Sequence, residues 1–225
     1  KGPSNLPPYS PIIDIEPGEA DTTTDLQVVQ LEPMPYDPEG EDVSIRFEWH
    51  MDGSDQGIDS DTIAAGSTDK GQVWTVYAFS NDGVLDSAPS SRTIAIQNAK
   101  PIITDYSASP EAPTTSDDLV VSASSEDSDG DEVAISYSWS MDGDDMEEHT
   151  EDTLPAAATS KGEFWQVIVT PNDGEEDGEV QTAGFTILNT PPILDSVDLI
   201  PTEAYESSVI EPVIAYTDLD GDELS

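Results

Sequence analysis

The chain has 225 residues, six of them Lys or Arg and 49 Asp or Glu, for a formal net charge of −43. So few cations exclude most nucleic-acid binders, which neutralise phosphate with clustered Lys and Arg, and disfavour docking on an anionic membrane face. Hydrophobic residues still make up 35 %, enough for packed cores, while the absence of Cys removes disulfides, thiolate metal sites and Cys nucleophiles.

The chain opens Lys1-Gly2-Pro3 rather than with Met, as a processed or partial product would, and it has no run of 18 apolar residues to span a bilayer. Asn5-Leu6-Pro7-Pro8 begins the first copy of a recurring pattern. An acidic run follows, Asp37-Pro38-Glu39-Gly40-Glu41-Asp42. Val43, Ile45, Phe47, Trp49 and Met51 then alternate with Ser44, Arg46, Glu48 and His50. Strict period-two alternation predicts a strand with one buried face. Lys70-Gly71-Gln72-Val73-Trp74 opens another such strand, Asn81-Asp82-Gly83 ends it, and Ile94 and Ile96 close the copy.

The same markers return in the same order. Asn98-Ala99-Lys100-Pro101 starts the second copy, and Asp127-Ser128-Asp129-Gly130-Asp131-Glu132 is its acidic run. Val133, Ile135, Tyr137, Trp139 and Met141 form its alternating strand. Lys161-Gly162-Glu163-Phe164-Trp165, Asn172-Asp173-Gly174, Phe185 and Ile187 complete it. Asn189-Thr190-Pro191-Pro192 opens a third copy, which reaches Asp218-Leu219-Asp220-Gly221-Asp222-Glu223 and stops. The spacing of 90 to 93 residues defines a repeat of about 91. The expected domains are 1–97, 98–188 and an incomplete 189–225. The array is expected to continue past Ser225, or the last half-domain to take strands from another chain.

About seven short strands per copy, Gly/Pro/Asn/Asp punctuation and no 3.6-residue apolar period give an all-β fold class of tandem immunoglobulin-like β-sandwiches. Trp49 and Trp139 suit the central core position. Trp74 and Trp165 would fill the volume of the antibody-type Cys pair. In such a sandwich the domain start, the B–C loop and the F–G loop share one end. Asn98, Asp127, Asp129, Asp131 and Asp173 are therefore expected to converge. Asn189, Asp218, Asp220 and Asp222 should do so at the next junction, and Asn5, Asp37, Glu39, Glu41 and Asp82 at the free end of the first copy.

Carboxylates forced together repel unless a cation neutralises them. Oxygen-only ligands select a hard cation, and calcium tolerates six to eight oxygens in flexible geometry where magnesium demands an octahedron. Asp-Gly is also ordinary turn chemistry, and one isolated cluster would read as a solvated acidic turn. Three copies in register favour Ca2+. The first, with Glu39 and Glu41, is expected to differ in geometry or affinity. The spacing is not that of an EF-hand. Asp52 and Asp142 fall at the other end of the sandwich as turn residues.

The Asn-x-x-Pro start, the Asp-x-Asp-Gly-Asp about 30 residues later and the Trp strand resemble the tandem immunoglobulin-like, cadherin-like calcium-binding repeats of large prokaryotic extracellular proteins. That resemblance implies Asn98, Asp127 and Asp129, then Asn189, Asp218 and Asp220, as calcium ligands between domains. The chain departs from cadherins at Ala99-Lys100 and Thr190-Pro191, where a fuller acidic linker would stand.

His50 and His149 are not equivalent and read as surface residues. No Gly-x-Ser-x-Gly, phosphate loop or His-Glu-x-x-His occurs, so no enzyme is expected. The expected function is structural, a calcium-stiffened segment of an extracellular or cell-surface fibre, filament or adhesin stalk. Neighbouring copies of the same chain are its partners, a surface glycan or protein ligand is a further one, and nucleic acid and membrane insertion are excluded. The alternative is a carbohydrate-binding or spacer module of a secreted, salt-adapted enzyme, which would need an exposed aromatic platform.

Overall fold

The structure, a computed structural model, describes residues 4–200, 202–203 and 205–222. The expected outer boundaries Lys1 and Ser225, and Glu223 of the last acidic run, lie outside the described residues. The chain forms two compact units, Lys1–Lys100 with Asp127–Asp131, and Pro101–Glu126 with Glu132–Ser225.

Among the described residues the first unit has eight strands: β1 (Ile12–Glu16), β2 (Ala20–Asp21), β3 (Leu26–Leu31), β4 (Ser44–Met51), β5 (Ser54–Asp55), β6 (Thr62–Ile63), β7 (Val73–Asn81) and β8 (Ser90–Gln97). They form two sheets, in the orders β1-β3-β6 and β2-β8-β7-β4-β5. All pairings are antiparallel except that of β2, which runs parallel to β8.

The second unit repeats the plan with β9 (Ile102–Ser109), β10 (Leu119–Glu126), β11 (Ala134–Met141), β12 (Asp144–Asp145), β13 (Thr153–Leu154), β14 (Phe164–Asn172) and β15 (Gln181–Thr186). Its sheets are β13-β10-β9 and β12-β11-β14-β15. The counterpart of β2 shrinks to a single parallel bridge, Thr114 to Leu188. A hairpin of β16 (Ile193–Ile200) and β17 (Glu211–Thr217) follows. Its described residues are exposed throughout, Ile193, Leu194 and Ile214 among them. It corresponds to the β9–β10 pair, down to a register shift near its start. Among the described residues no second sheet covers it.

Alternation decides what is buried. On β7, Trp74, Val76 and Ala78 are buried while their neighbours are not; Trp165, Val167 and Val169 repeat this on β14. Trp49 and Trp139 are 0 % and 1 % exposed at the centres of the two cores. Large indoles bury well only when the ring N–H finds an acceptor. Trp49 Nε1 donates to the Ser60 carbonyl at 2.8 Å, and Trp139 Nε1 to the Glu151 carbonyl at 2.9 Å. Trp74 and Trp165 donate to the Gln72 and Glu163 side chains two residues before them, at 3.0 and 2.9 Å.

Asp52 and Asp142 have φ of 49° and 53° and precede Gly53 and Gly143, also at positive φ. This is the left-handed two-residue turn that matches strand twist in a tight hairpin. Both are turn residues, as the sequence indicated. The histidines need correction, since neither lies open on the surface. His50 is half-buried with its ring 4.9 Å from that of Tyr77, and His149 packs edge-on against Trp165 at 5.8 Å.

Candidate metal centre

Each acidic run folds around its first Asp. Asp127 Oδ1 accepts the backbone N–H of Asp129 at 2.8 Å and of Asp131 at 3.3 Å. Asp218 Oδ1 does the same for Asp220 and Asp222 at 2.9 and 3.1 Å, and Asp37 Oδ1 for Glu39 and Glu41 at 2.7 and 3.3 Å. Short Asp side chains make such local turns readily. The intervening Gly40, Gly130 and Gly221 stand at φ of 89°, 81° and 73°, where a Cβ would be strained. The turn aims three carboxylates at one point.

Three clusters result: Asp37 with Glu39 and Glu41, Asp127 with Asp129 and Asp131, and Asp218 with Asp220 and Asp222. In each, one oxygen per residue lies within 4.8 Å of the others. That is about twice a calcium–oxygen bond of roughly 2.4 Å, so one such ion can bridge two of the oxygens and reach the third after a shift of a few tenths of an ångström. The inner oxygens Asp37 Oδ2, Asp127 Oδ2 and Asp218 Oδ2 are buried without a hydrogen-bond partner. Asp37 is only 5 % exposed. A buried anionic oxygen with no donor is costly, and a cation is the ligand that relieves it.

In the second and third clusters the other carboxylates have protein partners. Asp129 accepts the Thr22 hydroxyl on Oδ1 and the Ala99 N–H on Oδ2 at 2.8 Å. Asp220 accepts the Thr115 hydroxyl at 2.5 Å and the Thr190 N–H at 2.6 Å. The Thr115 hydroxyl first, then the Thr190 N–H, hold its pKa below the ordinary carboxylate value. Lys70 Nζ pairs with Asp131 and donates to Asn98 Oδ1 at 3.0 Å. Lys161 Nζ repeats this, donating to Asn189 Oδ1 at 3.1 Å and to Asp222 Oδ2 at 2.6 Å. Asn98 and Asn189 therefore reach their clusters through a shared lysine.

The first cluster differs in its surroundings. Its carboxylates have no ion-pair partner among the described residues. Burial, then repulsion from Asp37, Asp82 and Glu39, push the Glu41 carboxyl above its ordinary range. Asp82 sits beside this group without joining its trio. Its Oδ1 accepts the N–H of Val84 and Leu85, its Oδ2 accepts Asn5 Nδ2 at 2.9 Å, and the Leu85 N–H is the largest cause of its lowered pKa. Asp173, in the second unit, organises its own loop by accepting the N–H of Glu175 and Glu176, both at 2.7 Å.

Sequence reasoning missed Thr22, Thr115, Lys70 and Lys161 as partners of the clusters. A signal was present for the lysines, because two of only six cations recur 91 positions apart.

The strand orders define a protein of tandem immunoglobulin-like β-sandwiches. No protein-family profile matches the chain, and no curated protein matches it. Solved structures that resemble it include a two-domain fibronectin type-III segment of chicken tenascin, at 14 % identity over 81 % of this chain and 99 % of that one, TM-score 0.39. Others are fibronectin(III)-like modules of Clostridium thermocellum CbhA (12 %, 79 % and 94 %, 0.28) and the chicken interferon gamma receptor alpha chain (9 %, 82 % and 100 %, 0.43). No helix among the described residues is long and apolar enough to cross a membrane.

Proposed function

We propose that the chain is a non-catalytic structural segment of an extracellular or cell-surface assembly, in which calcium bound at the acidic clusters stiffens successive repeats. The observation that carries this reading is the thrice-copied turn with one buried, donorless carboxylate oxygen, sharpest at Asp37. The ligand set would be Asp37, Glu39 and Glu41 in the first copy, Asp127 with Asp129 and Asp131 in the second, and Asp218 with Asp220 and Asp222 in the third. Calcium would supply positive charge to oxygens that otherwise repel. Neighbouring copies of the same chain are the proposed partners, supported by the repetition itself.

The alternative, a carbohydrate-binding module, finds less support. All four Trp are buried, and the exposed Tyr9 and Tyr36 rings, 4.6 Å apart, are tilted by 39° and share no plane. Calorimetric titration of the chelator-treated chain with calcium chloride, paired with melting in calcium and in EDTA, tests the reading. Saturable binding at the clusters and a lower melting temperature in EDTA are expected. No binding below millimolar calcium, with an EDTA-insensitive melt, would overturn it.

A further inference from the structure

We propose that Lys70 and Lys161 are cations built into the chain, each seated on the last Asp of an acidic cluster, and that they limit the two clusters Asp127–Asp131 and Asp218–Asp222 to one divalent ion apiece. This rests on the calcium reading and adds what sets stoichiometry and affinity.

Each cluster brings three carboxylates together. One ammonium lies against Asp131 and another against both oxygens of Asp222. Three negative charges and one positive leave −2, which a single divalent ion neutralises. A second ion would meet a site already neutral and a carboxylate already bound to an ammonium.

The arrangement is copied. Lys70 and Lys161 lie 61 residues before their Asp partners and 28 before their Asn partners in both cases. Two independent surface lysines settling on nearby acids would not reproduce both separations. The Thr22 and Thr115 hydroxyls, clamped on the middle Asp of each cluster, fix the loops that the lysines grip. A cleft of about 410 Å³ lined by Thr115, Lys161 and Asp220 leaves the Asp218–Asp222 cluster open to solvent ions. The first cluster serves as an internal contrast. It carries three carboxylates with Asp82 beside it and, among the described residues, no ammonium, so it should bind calcium without that competition.

The test uses the full chain and calcium chloride. Lys70→Gln with Lys161→Gln removes both ammonium groups from exposed or half-exposed positions and leaves the cores intact. Two of the calcium sites should then bind roughly tenfold more tightly, the effect of deleting a unit charge about 5 Å from a divalent ion in a water-like dielectric, or each should take up an additional ion. Lys70→Arg with Lys161→Arg should restore the wild-type isotherm. If the wild type binds calcium and the Gln variant gives the same affinity and stoichiometry, the lysine proposal is overturned and the calcium reading stands. If the wild type binds none, the calcium reading and the stoichiometry fail together. The counter-cation role is then decided in EDTA, where the Gln variant should melt below the wild type and equal melting overturns it.

Discussion

Trp49 and Trp74 meet edge to face, with ring centroids 6.2 Å apart and planes at 71°. In the second core Trp139 instead stacks on Phe185, at 6.0 Å and 26°. The same volume is thus filled by two aromatic solutions, and in each the central indole N–H is satisfied by a backbone carbonyl. Trp49→Ala and Trp139→Ala should each cost about 3–5 kcal/mol, from the cavity and from the orphaned carbonyl. Urea unfolding monitored by the remaining Trp fluorescence measures this. Each substitution should lower the transition of its own sandwich.

Asp127 has two separable duties, one per oxygen. Asp127→Asn keeps an acceptor for the N–H of Asp129 and Asp131 but removes the charge. Its melting temperature in EDTA should stay close to wild type while calcium affinity at that cluster falls at least tenfold. Asp127→Ala also loses the turn, and should cost a further 1–2 kcal/mol or about that, the usual worth of satisfied backbone donors. Parallel melts and titrations of the two variants separate the roles.

Gly130 and Gly66 offer a backbone contrast. Neither would bring a new Cβ within 4 Å of another atom, but only Gly130 stands at positive φ, +81°. Gly130→Ala should therefore destabilise by about 1–2 kcal/mol through strain alone. Gly66→Ala should be neutral or stabilise by up to about 1 kcal/mol, by restricting the unfolded chain. Differential melting of the pair reads the sign.

Asp86 accepts two hydrogen bonds from Arg46, at 3.0 and 2.6 Å, and Arg46 lies 4.0 Å from the centre of the Phe79 ring. The arginine, ahead of Asn81, holds Asp86 below its ordinary carboxylate range. A carboxyl depressed in the folded state adds stability above its unfolded pKa of about 3.9 and loses it as pH falls through the folded value. The pair is about one-third exposed, so the contribution is of the order of 0.2–1 kcal/mol. Asp86→Asn should lower stability at pH 7 by that amount and converge with wild type at the acid end. A constant difference between pH 7 and pH 2 would refute the linkage.

Much of this was legible in the residues. Alternation about Trp49 and Trp139 gave the buried faces, because side chains on a strand must point alternately to core and solvent. The three acidic runs announced their turns, because the first Asp and the Gly act within five positions. What alternation and local spacing did not reach were the grips on those turns. Thr22 meets Asp129 across 107 residues and Lys70 meets Asp131 across 61. Such contacts depend on where whole loops are carried by the fold. The two-residue β2 was missed for a related reason, since its pairing with β8 is set by a distant strand and not by its own composition.

The lysine grip has a consequence for how such a chain can lengthen. The ammonium is encoded in one copy of the pattern and the carboxylate it holds in the next. Tandem duplication of a stretch such as 98–188 therefore reproduces one donor and one acceptor, and the added segment arrives already matched to both neighbours. Growth by recombination requires no compensating substitution at the new boundary, and an internal loss of one whole period leaves every remaining pair intact.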